Sequence, residues 1–262
     1  MAISMQAVPS VSEQPVGGQF RQRIERKFFV KPRDIGFAYA LLRQVCRPDS
    51  EYPVGQINSL YFDTADLDQY ERSASGEFEK DKVRIRWYGE NDALPETVPV
   101  FLELKSRRGF ASSKRRERFM VFGEKLELDN LSAGIIDRTV LVNTIAGFGH
   151  FPPSPLRPII TVSYLRYRFT EMLSGFRVSL DYNIRSTFVA REFGYGEKEL
   201  PLIGGVVEVK GPTMELPWTL RRLKLLNTDW GRFSKYSHCI DTHLADIGTI
   251  GRLWPSGRMA RA

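Results

Sequence analysis

The stretch "DKVRIRWYGE", Asp81 to Glu90, decides how this chain is read. Side chains alternate along a strand, so Val83, Ile85 and Trp87 point one way and Lys82, Arg84 and Arg86 the other. On a single strand such a basic stripe is most simply a solvated sheet face. The same period runs through "FRQRIERKFFV" (20–30), which sets Arg23, Glu25 and Lys27 against Ile24, Phe28 and Val30. It recurs in "INSLYFDT" (57–64), "FLELKS" (101–106), "ERFMVF" (117–122), "IITVSYLRYRFT" (159–170), "FRVSLDYNIRS" (176–186) and "GGVVEVKG" (204–211). These make about eight strands, mostly of period 2.

Between them lie stretches with helical spacing. "PRDIGFAYALLRQVC" (32–46) starts at a proline, and "TADLDQYERS" (64–73) has a capping start at Thr64 or Asp66. "SAGIIDRTVLVNTIAGF" (132–148) offers Ser132 as cap and Gly147 or Gly149 as stop. "LPWTLRRLKLL" (216–226) and "SKYSHCIDTHLAD" (234–246) close the pattern. The class is α+β with antiparallel strands dominating. One domain is expected from residue 20 to 247, after a disordered leader (1–19) and before a tail (248–262).

With 262 residues the chain is long enough to bury a substantial core. A net charge of +7 favours an anionic partner, whether nucleic acid, phosphorylated small molecule or membrane surface. Cys46 and Cys239 have neither disulfide-framework nor zinc spacing, which fits a reducing, cytoplasmic setting. No apolar run reaches the ~18–20 residues that cross a bilayer.

The polar faces carry arginine and lysine repeatedly, with isolated glutamates. If the helices cover the apolar side and the sheet closes, the charged face becomes a lumen. About eight strands enclose room for one small ligand. A cationic lining is self-repulsive, by several kcal/mol at an effective dielectric of about 20, unless it binds a polyanion. Arginine grips phosphate oxygens in a bidentate fork and lysine acts as a point charge. A few inward carboxylates suit a divalent ion bridging phosphates. RNA modules set aromatics beside the basic residues, whereas Trp87 and Phe101 are read here as sharing no stacking pattern with Arg84 and Arg86. A nucleic-acid partner is therefore not expected.

The series "IERKFFV", "NSLYFDT", "KVRIRWYG", "FLELKSRRG", "SYLRYRF", "RVSLDYNIRS", "VVEVK" and "RFSKYSHC" resembles the VTC domain, the polyphosphate-polymerase branch of the triphosphate tunnel metalloenzymes, whose superfamily includes the CYTH enzymes. The resemblance implies an eight-stranded antiparallel β-barrel tunnel with helices packed outside. It implies an enzyme that moves the ATP γ-phosphate onto an inorganic polyphosphate chain, with Mn2+ or Mg2+ as cofactor. Carried over by motif, Lys27 is the basic residue of the first strand, and Arg84 and Arg86 the phosphate-gripping pair. Lys105 belongs to E-x-K, Tyr164 and Arg166 to Y-x-R, Arg177 to the position before "SLD", and Ser234 and Lys235 to F-S-K. Lys27, Arg84, Arg86, Lys105, Arg166, Arg177 and Lys235 are thereby catalytic, and Tyr164 and Ser234 substrate-binding. Glu208 and Glu25 are the metal ligands.

One departure concerns the wider signature E-x-E-x-K, which reads Arg23-Ile24-Glu25-Arg26-Lys27 here. Its missing first glutamate favours the polymerase branch over the triphosphate hydrolases, such as inorganic or thiamine triphosphatase. A non-catalytic subunit that binds polyphosphate or nucleotide is a third reading. The family's eukaryotic complexes carry membrane helices, so membrane coupling is expected through a separate protein. ATP, pyrophosphate and polyphosphate are the implied ligands.

Several of these residues have a plainer reading. Glu103 and Lys105 form a structural ion pair, Tyr164 packs at the rim, and Glu25 salt-bridges Arg84 or Lys27. Asp181 is structural or a second metal ligand. "KSRRGFASSKRRER" (105–118) is a solvated hairpin loop or a basic lip, "LRRLK" (220–224) the outer face of a helix, and Lys82 a rim residue near its strand end. A transfer onto an ionised phosphate oxygen needs no general base, in keeping with only His150, His238 and His243.

Overall fold

Strands form wherever the period-2 pattern ran, and most extend beyond it. The computed structural model describes residues 24–90, 94–109, 111–193, 198–226 and 233–248. The expected leader and Arg23 lie outside the described residues, as do 249–262 of the expected tail. The first part runs β1 (Ile24–Val30), α1 (Ile35–Val45), β2 (Cys46–Pro48), β3 (Val54–Asp63), α2 (Asp68–Ala74), β4 (Glu79–Tyr88), β5 (Thr97–Arg108) and β6 (Ala111–Phe122). It continues α3 (Leu128–Leu131), α4 (Arg138–Gly147), β7 (Arg157–Glu171), β8 (Arg177–Phe188), β9 (Leu200–Leu202), β10 (Gly205–Gly211) and α5 (Lys235–Gly248). Trp218–Leu226 is a 3-10 helix rather than the expected α-helix.

All ten strands join one antiparallel sheet, ordered β1-β10-β8-β7-β3-β4-β5-β6, with β2 added to β7 and β9 to β8. The expected eight are the main path; the two short strands carry too few residues to show a period. The segment 105–118 is not a loop: β5 and β6 pair in register from Thr97↔Phe122 to Arg108↔Ala111. Six steps separate β1 from β5, about 29 Å on a flat sheet at ~4.8 Å per strand. Yet Lys105 Nζ of β5 stands 3.0 Å from Glu25 Oε2 of β1. The sheet therefore curls until its charged faces meet.

Two apolar cores coat the convex side. Val83, Ile85 and Trp87 pack with Leu60, Leu102 and Leu104 under Ile135, Leu141 and Ile145 of the α4 region. Phe28, Val178, Leu180, Val207 and Val209 pack under α1 and the 3-10 helix through Leu42, Leu220 and Leu223. A third core lies on the concave side. There Tyr236, Cys239 and Ile240 of α5 bury against Ile160, Val162, Ile184, Phe188 and Val206. The expectation that the helices pack outside therefore holds for α1, the α4 region and the 3-10 helix, and is corrected for α5. The α5 helix has an apolar face, and the concave surface offers an apolar end for it to stopper.

That apolar end depends on a change of phase in β8. Ser179 and Asp181 face inward; Asn183 then adopts a left-handed conformation (φ 50°) where the β7–β8 register shifts. Beyond this bulge Ser186 and Phe188 lie opposite the inward Val162 and Ile160. Asn183 is exposed, although unbroken alternation from Ser179 and Asp181 would turn it inward.

The α2 start is fixed by Asp63 rather than by Thr64 or Asp66 alone. The Asp63 carboxylate accepts from the Thr64, Gln69 and Tyr70 amides at 2.8, 2.9 and 2.9 Å and from the Tyr236 hydroxyl at 2.6 Å. One side chain thus caps α2 and anchors α5. The α4 helix starts at Asp137, whose carboxylate accepts from Thr139 N at 2.7 Å, not at Ser132.

Candidate functional site

Alternation places Lys82, Arg84 and Arg86 of β4 on the concave face, with Glu103 and Lys105 of β5 beside them. Glu103 is fully buried and accepts from Arg84 Nε and Nη2 at 2.9 and 2.7 Å. It also pairs with Arg86 at 3.7 Å and with Lys114 of β6. Burial alone would raise this carboxyl; Arg84, Arg86 and Lys114 outweigh it and bring it to about 2. Glu103 is therefore not the partner of Lys105, which pairs with Glu25 instead. It is the anchor that aims both arginines. Tyr61 adds a hydroxyl 3.1 Å from Arg84 Nη1, and Ser59 one 3.3 Å from Arg86 Nε.

Across the face, Arg166 of β7 grips Asp181 of β8 through Nε–Oδ1 at 2.6 Å and Nη2–Oδ2 at 2.7 Å. Its Nη2 also reaches Glu208 Oε2 at 3.2 Å. Lys235 enters from the first position of α5 and touches both Asp181 and Glu208, the latter at 3.3 Å. Burial would lower the Lys235 ammonium, but Asp181 and Glu208 raise it above its ordinary value. Tyr164 is buried, not at a rim, with Lys235 4.8 Å and Arg166 5.4 Å from its ring centre.

Glu25 and Glu208 share two lysines. Lys27 lies 3.8 Å from Glu25 and 3.7 Å from Glu208; Lys210 lies 3.7 and 3.4 Å from the same pair. Burial pushes the Glu25 carboxyl up, but Lys27, Lys105 and Lys210 overcome it and hold it at about 2. Burial likewise opposes ionisation of Glu208, and Lys235, Lys210, Arg166 and Lys27 drive it well below the carboxylate range. Neither carboxylate touches Arg84 among the described pairs.

Of the residues singled out by sequence, Lys27, Arg84, Arg86, Lys105, Tyr164, Arg166, Glu208, Glu25, Ser234 and Lys235 come together on this face. Arg177 does not join them. It shares the face but sits exposed at the far end of β8, opposite Lys210 and Thr170. Lys82 was missed in the opposite sense. Because β4 begins at Glu79, Lys82 lies inside the strand, its Nζ 2.6 Å from Ser234 Oγ and 2.9 Å from Ser73 Oγ. The alternation that placed Arg84 also placed Lys82; only the strand's length was misjudged. Phe101, read as apart from the arginines, lies opposite Arg86, with Arg116 over its ring at 5.1 Å. A single ring of this kind does not make a base-stacking platform.

Remaining reactive groups have structural partners. His150 pairs with Asp81, His238 with the Ser234 carbonyl and His243 with Ser186. Burial pushes both cysteine thiols up to about 12, far from a reactive thiolate. No helix of the described residues is long and apolar enough to cross a membrane.

The residues present fit a hard divalent ion in part. Glu25 and Glu208 offer two ionised oxygen donors around common partners, the chemistry preferred by Mn2+ and Mg2+. Among the described residues no group of three or more such side chains is placed to hold a metal, so these two carboxylates are the donors the face offers.

Among solved structures, a proposed adenylate cyclase from Bacillus halodurans shares 15% identity over 90% of this chain and 95% of its own, with a TM-score of 0.44. A proposed adenylyl cyclase from Hippeastrum, described as having a dominant triphosphatase activity, shares 17% over 89% and 98%, with a TM-score of 0.40. Overlaps this loose carry no functional inference. No curated protein matches the chain. The VTC domain family model matches residues 22–244, so a basic, curled antiparallel sheet and a family-wide sequence match coincide, and the chain belongs to the VTC domain family.

Proposed function

We propose that the curled sheet is an eight-stranded β-barrel tunnel, and that the protein is a polyphosphate polymerase passing the ATP γ-phosphate to a growing inorganic polyphosphate chain. The observation that carries this reading is the concave charge cluster. Glu25, Glu103, Asp181 and Glu208 are outnumbered there by Lys27, Lys82, Arg84, Arg86, Lys105, Lys114, Arg166, Lys210 and Lys235. The surplus field favours a polyanion, and its planar guanidinium forks suit phosphate oxygens.

Phosphoryl transfer asks mainly for positioning and for charge held in place beforehand. Glu103 fixes Arg84 and Arg86, and Asp181 fixes Arg166, so these forks need little reorganisation when a triphosphate enters. Lys27, Lys105 and Lys235 neutralise charge that develops on the leaving β-phosphate oxygen. The acceptor is an ionised phosphate oxygen: its bond to the γ-phosphorus forms as the bond to the ADP oxygen breaks. Glu25 and Glu208 would hold the divalent ion, which when bound neutralises phosphate oxygens. Arg23, in place of the triphosphatases' first glutamate, favours transfer to phosphate over transfer to water.

The test is incubation of purified protein with ATP and Mn2+, resolving long-chain polyphosphate on a gel beside free orthophosphate. A ladder supports polymerisation. Orthophosphate without a ladder would show a hydrolase, and a folded protein giving neither would show a binding subunit.

A pH dependence follows from Lys105. Burial and the nearby Lys27 lower its ammonium to about 8, with Glu25 partly restoring it. In the free protein Lys105 therefore loses its charge as pH rises through about 8, and tripolyphosphate should bind more weakly at pH 9 than at pH 7. One linked proton allows at most about tenfold per pH unit. Lys105→Arg keeps its charge throughout this range, so its affinity should fall less steeply over the same interval in calorimetric titrations. Parallel slopes for the two proteins would remove Lys105 from the binding surface.

A further inference from the structure

Lys82 differs from its neighbours on the concave face. Lys27, Arg84, Arg86, Lys105, Arg166, Lys210 and Lys235 each stand within ion-pairing distance of Glu25, Glu103, Asp181 or Glu208. Lys82 has no carboxylate partner among the described residues; its ammonium faces the hydroxyls of Ser73 and Ser234, with the Tyr236 ring 5.7 Å away. Burial, and then Lys27, Lys105, Lys80 and Arg84, drive its pKa well below the ordinary lysine value. A cation held among cations is costly unless an anion joins it.

The surroundings describe that anion. Ser234 precedes α5, and its Oγ accepts from Ser237 N at 3.3 Å, so the amide end of a 14-residue helix opens beside Lys82. Lys27 donates to the Phe233 carbonyl at 3.1 Å, one residue from Ser234. Serine hydroxyls can donate to an ionised oxygen or accept from a P–OH, unlike guanidinium groups, which only donate. This mixture suits a terminal phosphate, which keeps an acidic proton near neutral pH, better than an internal phosphate of a chain.

We propose that Lys82, Ser73 and Ser234 form a seat for a terminal phosphate at the α5 end of the concave face, taking orthophosphate or the end group of a chain. Its assignment as the acceptor's place rests on the polymerase reading; the seat itself does not. Arg84 and Arg166 would then hold the donor triphosphate farther along the face, and the two phosphates would meet between them.

The experiment uses orthophosphate alone, without nucleotide, on the full chain at low salt, followed by calorimetry and thermal unfolding. Wild type should bind it saturably and melt higher with it. Lys82→Met should weaken orthophosphate at least about tenfold, the scale of one charged hydrogen bond, while tripolyphosphate affinity falls only a few-fold. Ser73→Ala should show a smaller loss in the same direction. Without phosphate, Lys82→Met should melt no lower than wild type, since no carboxylate loses a partner. No binding of orthophosphate by folded wild type would overturn the seat, as would equal binding by Lys82→Met. Chain growth from ATP could still stand in either case. Conversely, Lys82-dependent orthophosphate binding without any chain growth would keep the seat and discard the polymerase.

Discussion

Asp181→Ala should destabilise the protein by about 3–5 kcal/mol in urea unfolding, the cost of leaving buried charges without their partner. Asp181 is fully buried, takes both forks of Arg166 and also meets Lys235. Without it, these two cations keep only Glu208, which Lys27 and Lys210 also need. The loss should shrink when tripolyphosphate is added, because an anion bound only by the native state supplies the missing charge. A variant as stable as wild type would show that the Arg166–Asp181 pair contributes little. Equal destabilisation with and without tripolyphosphate would show that the polyanion does not reach these cations. By the same reasoning Glu208→Ala is a poor probe of catalysis, since it takes one carboxylate partner from four cations at once; Glu208→Gln preserves the shape.

The second large effect concerns turnover. Arg84→Ala should lower chain growth from ATP by roughly 10²–10³-fold, the range for removing one preorganised charged donor. The fold should survive, because Glu103 keeps Arg86 and Lys114. Arg84→Lys should recover little, since an ammonium cannot make the two-pronged contact that Nε and Nη2 now make with Glu103. Circular dichroism and melting close to wild type, with polyphosphate ladders absent, is the expected pair of results. Ladders of wild-type intensity would remove Arg84 from the phosphate-handling set.

The main path of the sheet and most of the charged face that carries the candidate site were legible because both follow from one rule, alternation. That rule put Arg84, Arg86, Lys105, Arg166 and Glu208 on one face from sequence alone. It could not say which carboxylate meets which cation. Glu103 and Lys105 are two apart on one strand, yet curling brings Glu25 from β1 to Lys105, while Arg84 takes Glu103. Partners across a curved sheet depend on long-range closure, which local pattern does not encode. The position of α5 was hidden for a similar reason. Its apolar face is visible in sequence, but which side of the sheet it covers depends on the concave end having turned apolar. Lys82 was misplaced because strand ends are poorly marked when charged residues continue the period, as Glu79 and Lys80 do.

Asn183 makes β8 a strand written in two reading frames. Upstream, odd-numbered positions supply the ionic wall through Ser179 and Asp181; downstream, even-numbered positions supply the stopper through Ile184 and Phe188. Were β8 to run through Asn183 as regular strand, without the bulge, Arg185 would turn into the oily seat of α5 and Ile184 out to solvent, as a one-residue slip exchanges the two faces of a strand. Lys235, which α5 delivers to Asp181, would lose its footing at the same stroke. Deleting Asn183, by contrast, would let Ile184 follow Tyr182 in unbroken alternation, merging the two frames without moving a side chain across the sheet.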